Sequence, residues 1–236
     1  AAAPAHAAQT GPRVQAQLDA YAEQWSTIRS EGCEAHVRGD LSDEAHALQL
    51  GCLAQRRRDL QGMVAVLAEA DAGVAERSVH AVGSLPALDR CAEPLALQSE
   101  VEPPVDADTA AAVEASRQTL SRARAEVAAA RYEAALTLAD EVLATARELG
   151  YRPLVAEAQL QRGLALAGRA AYEDSAAALR QAWQDALASG HDELAAEAAA
   201  EAITVVGNNL ARVEEGLAWA GDARNAGDRE APAGDA

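Results

Sequence analysis

The chain has 236 residues, with 20 Arg, no Lys, no Phe and 37 Asp or Glu, which leaves a formal charge of −17. Duplex nucleic acid and anionic bilayers are bound through Lys and Arg charge, so polyanions are excluded as partners and basic or neutral ones are favoured. Half the residues are apolar but only 3% are aromatic, so the core must be Ala, Leu and Val packed at short range, the composition of an all-α protein with enough buried surface to fold without disulfide or metal staples.

Residues 1–12 are Ala-rich and carry the breakers Gly11 and Pro12, which reads as a flexible tail. Residues 13–97 read as a helical subdomain, a hairpin plus a third helix. Its first helix, Val14 to Val37, places Leu18, Tyr21, Trp25, Ile28 and Cys33 at helical spacing and ends at Gly39-Asp40. Ser42 is a plausible cap for a second helix from Asp43 to Ala70, with Cys52, Leu60, Met63 and Leu67 along it, and a third runs from Val74 to Ser84 before Pro86. Residues 98–109 form an acidic linker, because the adjacent Pro103 and Pro104 cannot continue a helix. Residues 227–236 mix Gly, Pro and acidic side chains without periodicity and read as a second tail. No stretch is apolar over the length a membrane span requires, and Ala1 to Pro12 lacks the pattern of a signal peptide, so direct membrane insertion is not expected.

Residues 110–226 repeat with a period of 40: Leu120 maps to Leu160, Ala123 to Gly163, Tyr132 to Tyr172, and Leu149-Gly150-Tyr151 to Ser189-Gly190-His191. A third unit follows only after a one-residue insertion near Asn208-Asn209, which brings Gly216, Trp219 and Ala220 into register. Each unit has two helices and one apolar stripe that only a neighbouring unit can cover, so a stacked α-solenoid is expected. Small residues at Ala123, Gly163 and Ala135 permit close helix approach.

A small residue in a first helix, then a Tyr and a small residue three places on in a second, is similar to the tetratricopeptide repeat. Ala123, Tyr132 and Ala135 carry that pattern in the first unit, and Gly163, Tyr172 and Ser175 in the second, with Ser175 in place of the usual Ala. Trp25, Cys33, Val37-Arg38-Gly39, Ser42, Cys52-Leu53, Arg56-Arg57-Arg58, Leu85-Pro86 and Cys91-Ala92 further resemble the region after the catalytic domain in repeat-containing serine/threonine kinases of myxobacteria. Gly150-Tyr151-Arg152-Pro153-Leu154, Val205-Val206-Gly207 and Glu214 to Ala220 extend that likeness over nearly the whole chain. The resemblance implies a non-catalytic sensory or scaffolding extension, often beyond a membrane span, and thus an extracytoplasmic setting as one expectation for a segment whose compartment the sequence leaves open. It also implies a peptide-binding groove on the first helices of the repeats, with Arg117, Arg124, Glu157, Leu160 and Leu164 near it.

Kinase catalysis itself requires a strand Lys and an Asp-Phe-Gly, and the chain has neither Lys nor Phe. No cofactor motif is present. The five histidines are dispersed without zinc-site spacing, so no metal site is expected, and a catalytic Cys–His pair has no visible third group to orient it. Cys33, Cys52 and Cys91 are either three reduced core thiols or include a Cys33–Cys52 bridge across the first hairpin. Arg56 to Arg58 point in different directions on one helix and read as solvated or paired within it, while Trp25, Trp183 and Trp219 read as packing anchors. The leading expectation is a helical-repeat module that binds a protein or peptide. The alternative is a sensor with a small-molecule ligand held between the N-terminal helices and the repeats.

Overall fold

The computed structural model describes residues 3–93 and 106–230, together with 101, 103 and 104. The protein is all-α: among the described residues there are ten α-helices, one π-helical segment and no strand. The chain divides into two compact units, one built on the first four helices and the other on the last six.

The first unit contains α1 (Ala3–Arg38), α2 (Asp43–Ala68), α3 (Ala72–Gly83) and the short α4 (Asp89–Ala92). The expected tail at residues 1–12 is corrected: α1 starts at Ala3 and runs through Gly11 and Pro12. A proline removes one backbone hydrogen bond, at a cost of about 3 kcal/mol, and Gly11 beside it is a poor helix former, but the good helix formers farther out, Ala7 to Gln9 before and Gln15 to Leu18 after, carry the helix through. α1 stops at Gly39, whose φ of 82° lies in the left-handed region that glycine enters without penalty. Ser42 then accepts from the Ala45 amide at 3.2 Å and Asp71 accepts from the Val74 amide at 2.9 Å, side-chain caps that fix where α2 and α3 begin.

The core of this unit gathers Ile28, Leu53, Leu88 and Cys91, with Tyr21, Trp25 and Cys52 packed against them. Trp25 Nε1 donates to the Leu53 carbonyl at 2.8 Å, and the Tyr21 hydroxyl donates to the Pro86 carbonyl at 2.9 Å. Burial pushes the Tyr21 phenol up to about 12, with Arg56 opposing that shift and Asp59 adding to it. Arg58 and Asp59 are buried and Arg56 pairs with Asp59 within α2, so of the three arginines only Arg57 is exposed.

The bridge joins Cys52 to Cys91, with Cα atoms 5.6 Å apart, and not Cys33 to Cys52. The reason is register. Cys33 lies opposite His46 (Sγ to Nε2, 3.8 Å), and Cys52 is six residues farther along α2, about 9 Å at 1.5 Å per residue. Cys33 is left as a free, exposed thiol.

The second unit contains α5 (Ala107–Ala128), α6 (Tyr132–Leu149), α7 (Arg152–Gly168), α8 (Tyr172–Ala188), α9 (Asp192–Ala202) continuing into the π segment (Ile203–Asn209), and α10 (Val213–Glu230). Two expected boundaries move. α5 begins inside the linker expected at 98–109, where Asp106 accepts from the Thr109 amide at 2.8 Å, and α10 continues to Glu230, inside the tail expected at 227–236. Residues 98–100, 102, 105 and 231–236 of those two segments lie outside the described residues.

The forty-residue period is written in the backbone. Ala130 and Ala170 take φ of 60° and 59°, and Gly150 and Gly190 take 65° and 68°. The Arg131 amide bonds to the Glu126 carbonyl as the Ala171 amide does to Leu166, and the Tyr151 amide bonds to Ala146 as the His191 amide does to Ala186. In the third unit the left-handed residue is Ala211 (φ 55°), one place late, and Arg212 bonds back to Val206 over one more residue than its counterparts. The extra residue read near Asn208-Asn209 is absorbed by the π segment, whose wider turn accommodates one residue without breaking the helix.

Consecutive helices pack on one another from α6 through α10. Val113 and Leu120 of α5 share one core with Val142, Leu143 and Ala146 of α6 and Leu154 and Ala158 of α7. A second core runs from Leu160 of α7 through Leu179 and Ala182 of α8 to Ala198 of α9, Val206 and Trp219. Close approaches occur where the side chain is missing: a Cβ on Gly163 would stand 2.7 Å from Leu179, and one on Gly168 would collide with the Tyr132 ring. Ser175, the departure from the usual Ala, is fully buried and donates to the Gly163 carbonyl at 2.8 Å. Trp183 and Trp219 meet edge to face at 5.4 Å, tying α8 to α10 as packing anchors.

Candidate functional site

Three helices of the second unit, α5, α7 and α9, carry equivalent positions at intervals of 40. Arg117, Glu157 and Glu197 form one row, Ser121, Gln161 and Glu201 the next, and Arg124, Leu164 and Thr204, the last in the π segment that continues α9, a third. Along each helix the rows are three or four residues apart, so they stand on one face.

Ion pairs tie these rows together across helices. The Arg117 guanidinium donates from Nε to both Glu157 oxygens at 3.1 Å and from Nη2 to Oε1 at 2.7 Å, a two-pronged pair from α5 to α7. Burial disfavours the charge on Arg117, but the Glu157 carboxylate and its hydrogen bonds outweigh that, so the guanidinium is held above its usual range. Tyr151 sits beside this pair, and its phenol is raised by burial and by Glu157, against the opposing pull of Arg117. Arg124 of α5 donates from Nη2 to Glu197 of α9 at 3.2 Å, a contact between residues 73 apart in sequence. The face is therefore one surface shared by three successive units.

One oxygen in these rows has no hydrogen-bond partner, and one carboxyl is shifted from its ordinary pKa. Gln161 is 4% exposed, and its side-chain Oε1 is buried with no hydrogen-bond donor. Gln159 has a similarly unmatched oxygen, but it lies about 200° around α7 from Gln161 and faces away from these rows. Glu201, in the row of Gln161, has its carboxyl raised by burial and then by the neighbouring Glu197, with Arg124 opposing.

That shift carries a prediction. Between the ordinary carboxylate pKa and the raised folded value only the folded chain holds the proton, so folding becomes more favourable as pH falls through the folded value. Glu201→Gln is neutral throughout. It is expected to melt at a higher temperature than wild type at pH 7, with the difference closing as pH falls through the raised value of Glu201 and gone by about 4. A series of thermal melts against pH checks this.

Of the five residues the resemblance placed near a groove, Arg117, Arg124 and Glu157 stand in these rows and are held by the ion pairs above. Leu164 stands in the third row, partly buried against the second core. Leu160 does not belong: it is 1% exposed, turned into the core with Leu179, and cannot touch an occupant. Gln161, Glu197 and Glu201 were missed, although adding the period to Ser121 and Glu157 names all three.

Among the described residues no group of three or more His, Cys, Asp or Glu side chains could hold a metal ion, and no helix is long and apolar enough to cross a membrane. No family model, curated protein or solved structure matches the chain.

Proposed function

We propose that the second unit is a non-catalytic interaction module that binds a basic or neutral peptide segment along the rows on α5, α7 and α9, its hairpins arranged as in tetratricopeptide arrays. The observation that carries this reading is the pair of cross-helix ion pairs, Arg117 with Glu157 and Arg124 with Glu197, that aligns charged groups of three repeats on one face. The charge of the face points the same way: Arg117 and Arg124 are engaged by Glu157 and Glu197, and Glu201 adds a further carboxyl. The overall charge of −17 draws in cationic segments and repels nucleic acid.

On the resemblance to repeat-containing kinases, the chain is a sensory or scaffolding extension, and the bound segment is a means of regulating or localising an attached catalytic domain.

A peptide array probed with the full chain tests the reading. Sequences containing Lys or Arg are expected to be retained over acidic ones, with affinity falling as salt rises. Reversing charge with Glu201→Arg is expected to weaken the best binder at least tenfold, about 1.4 kcal/mol. Equal retention of acidic and basic peptides, or unchanged affinity in the variant, would refute it.

A further inference from the structure

Three side chains that the proposed binding face does not use meet beside the turn of the α1–α2 hairpin. Cys33 is exposed and outside the disulfide, and its Sγ lies 3.8 Å from His46 Nε2, within range for the thiol to donate to the imidazole. His46 is held by stacking on His36, with ring centroids 4.3 Å apart and planes 23° from parallel. His36 is fixed in turn: its Nδ1 donates to the Leu41 carbonyl at 3.2 Å, and its Nε2 lies 3.7 Å from Asp43 Oδ1. The sequence offered no group to orient a Cys–His pair, and the fold supplies one in His36. It also supplies solvent access, and it spends the other two cysteines on a bridge, leaving an odd thiol in a unit that already holds an oxidised pair.

We propose that Cys33 is a nucleophilic thiol, with His46 as its base, that forms mixed disulfides with low-mass disulfides. In the step, the Cys33 Sγ–H proton passes to His46 Nε2 and the thiolate attacks one sulfur of R–S–S–R. The S–S bond breaks as the Cys33 Sγ–S bond forms, and the departing thiolate takes the proton back from His46. The products are Cys33–S–S–R and R–SH, with no external oxidant consumed beyond the disulfide itself. His36 is a positioning residue, since it touches the base and not the reacting sulfur.

The test uses the full, unreduced chain and dithiodipyridine, an uncharged disulfide whose released thiopyridone is followed by absorbance. One equivalent is expected per chain, with none on Cys33→Ser. His46→Gln is expected to slow the reaction about tenfold or more at neutral pH, and His36→Ala less, while circular dichroism confirms that each variant is helical. A second reading does not depend on any variant: native Cys33 is expected to react faster than the same thiol in urea with the bridge intact, because unfolding separates it from His46. Incubation with glutathione disulfide is expected to add one glutathionyl group to the intact mass. A His46→Gln rate within twofold of wild type, or a native rate no greater than the unfolded one, would overturn the proposal.

Discussion

Replacing Cys52 and Cys91 together with alanine is expected to lower the free energy of unfolding by about 4 kcal/mol, the loop-closure value for a bridge of this span. The bridge closes a sequence separation of 39 and ties α2 to α4. α4 has only four residues and does not hold itself in place by helix formation. Without the bridge, α4 is held by contacts that include the packing of Leu88 and Cys91 into the core, the Gln49 Nε2 bond to the Cys91 carbonyl at 3.0 Å and the Gln24 Nε2 bond to Asp89 at 3.2 Å. Urea titration of wild type and the double variant gives the difference. A thiol titration under denaturing, non-reducing conditions checks the pairing itself: one reactive thiol per chain is expected, and three would mean that no bridge exists.

Gly216→Val is expected to destabilise the protein by about 3 kcal/mol, more than Gly163→Val. Both glycines sit at close helix approaches, but what stands in the way differs. At Gly163 an added Cβ comes within 3 Å of side-chain atoms of Leu179 alone, at 2.7 Å, and the nearest backbone atom is 3.5 Å away. At Gly216 it would stand 2.6 Å from the Gly207 Cα and 3.0 Å from the Gly207 amide nitrogen, so α10 itself has to shift away from the π segment. The edge contact of Trp219 with Trp183 then opens. Loss of the near-ultraviolet tryptophan circular dichroism, alongside a lowered melting temperature, is the expected signature. A Gly216→Val protein as stable as wild type would show that α10 does not seat where described.

Much of this architecture was legible in the sequence because it is periodic. The forty-residue repeat, its added residue near Asn208 and the Ser42 cap each follow from local chemistry acting within a few residues. Features that depend on how far one helix slides along another were not legible. The Cys33–Cys52 expectation failed because the hairpin turn fixes which helices are neighbours, whereas the register that sets Cys33 opposite His46 comes from packing, including Gln49 entering the space beside Gly32. The helix through Gly11 and Pro12 was missed because these two adjacent breakers were weighted above the helix formers farther out on either side. Leu160 failed for a rotational reason: three residues from Glu157 on α7, it falls on the side that packs against α8. On the proposed face, Glu197 and Glu201 were within reach of the period, but burial of the Gln161 oxygen depends on packing that no single repeat announces.

The claim on which the functional reading rests is that α5, α7 and α9 present one continuous binding face. Amide hydrogen exchange of the full chain, with and without the tightest basic peptide from the array, tests this most directly. Slowed exchange is predicted in α5, α7 and α9 around Arg117, Gln161 and Glu201, with α6, α8 and α10 unchanged. Protection confined to the second helices, or to the first unit, would contradict the account.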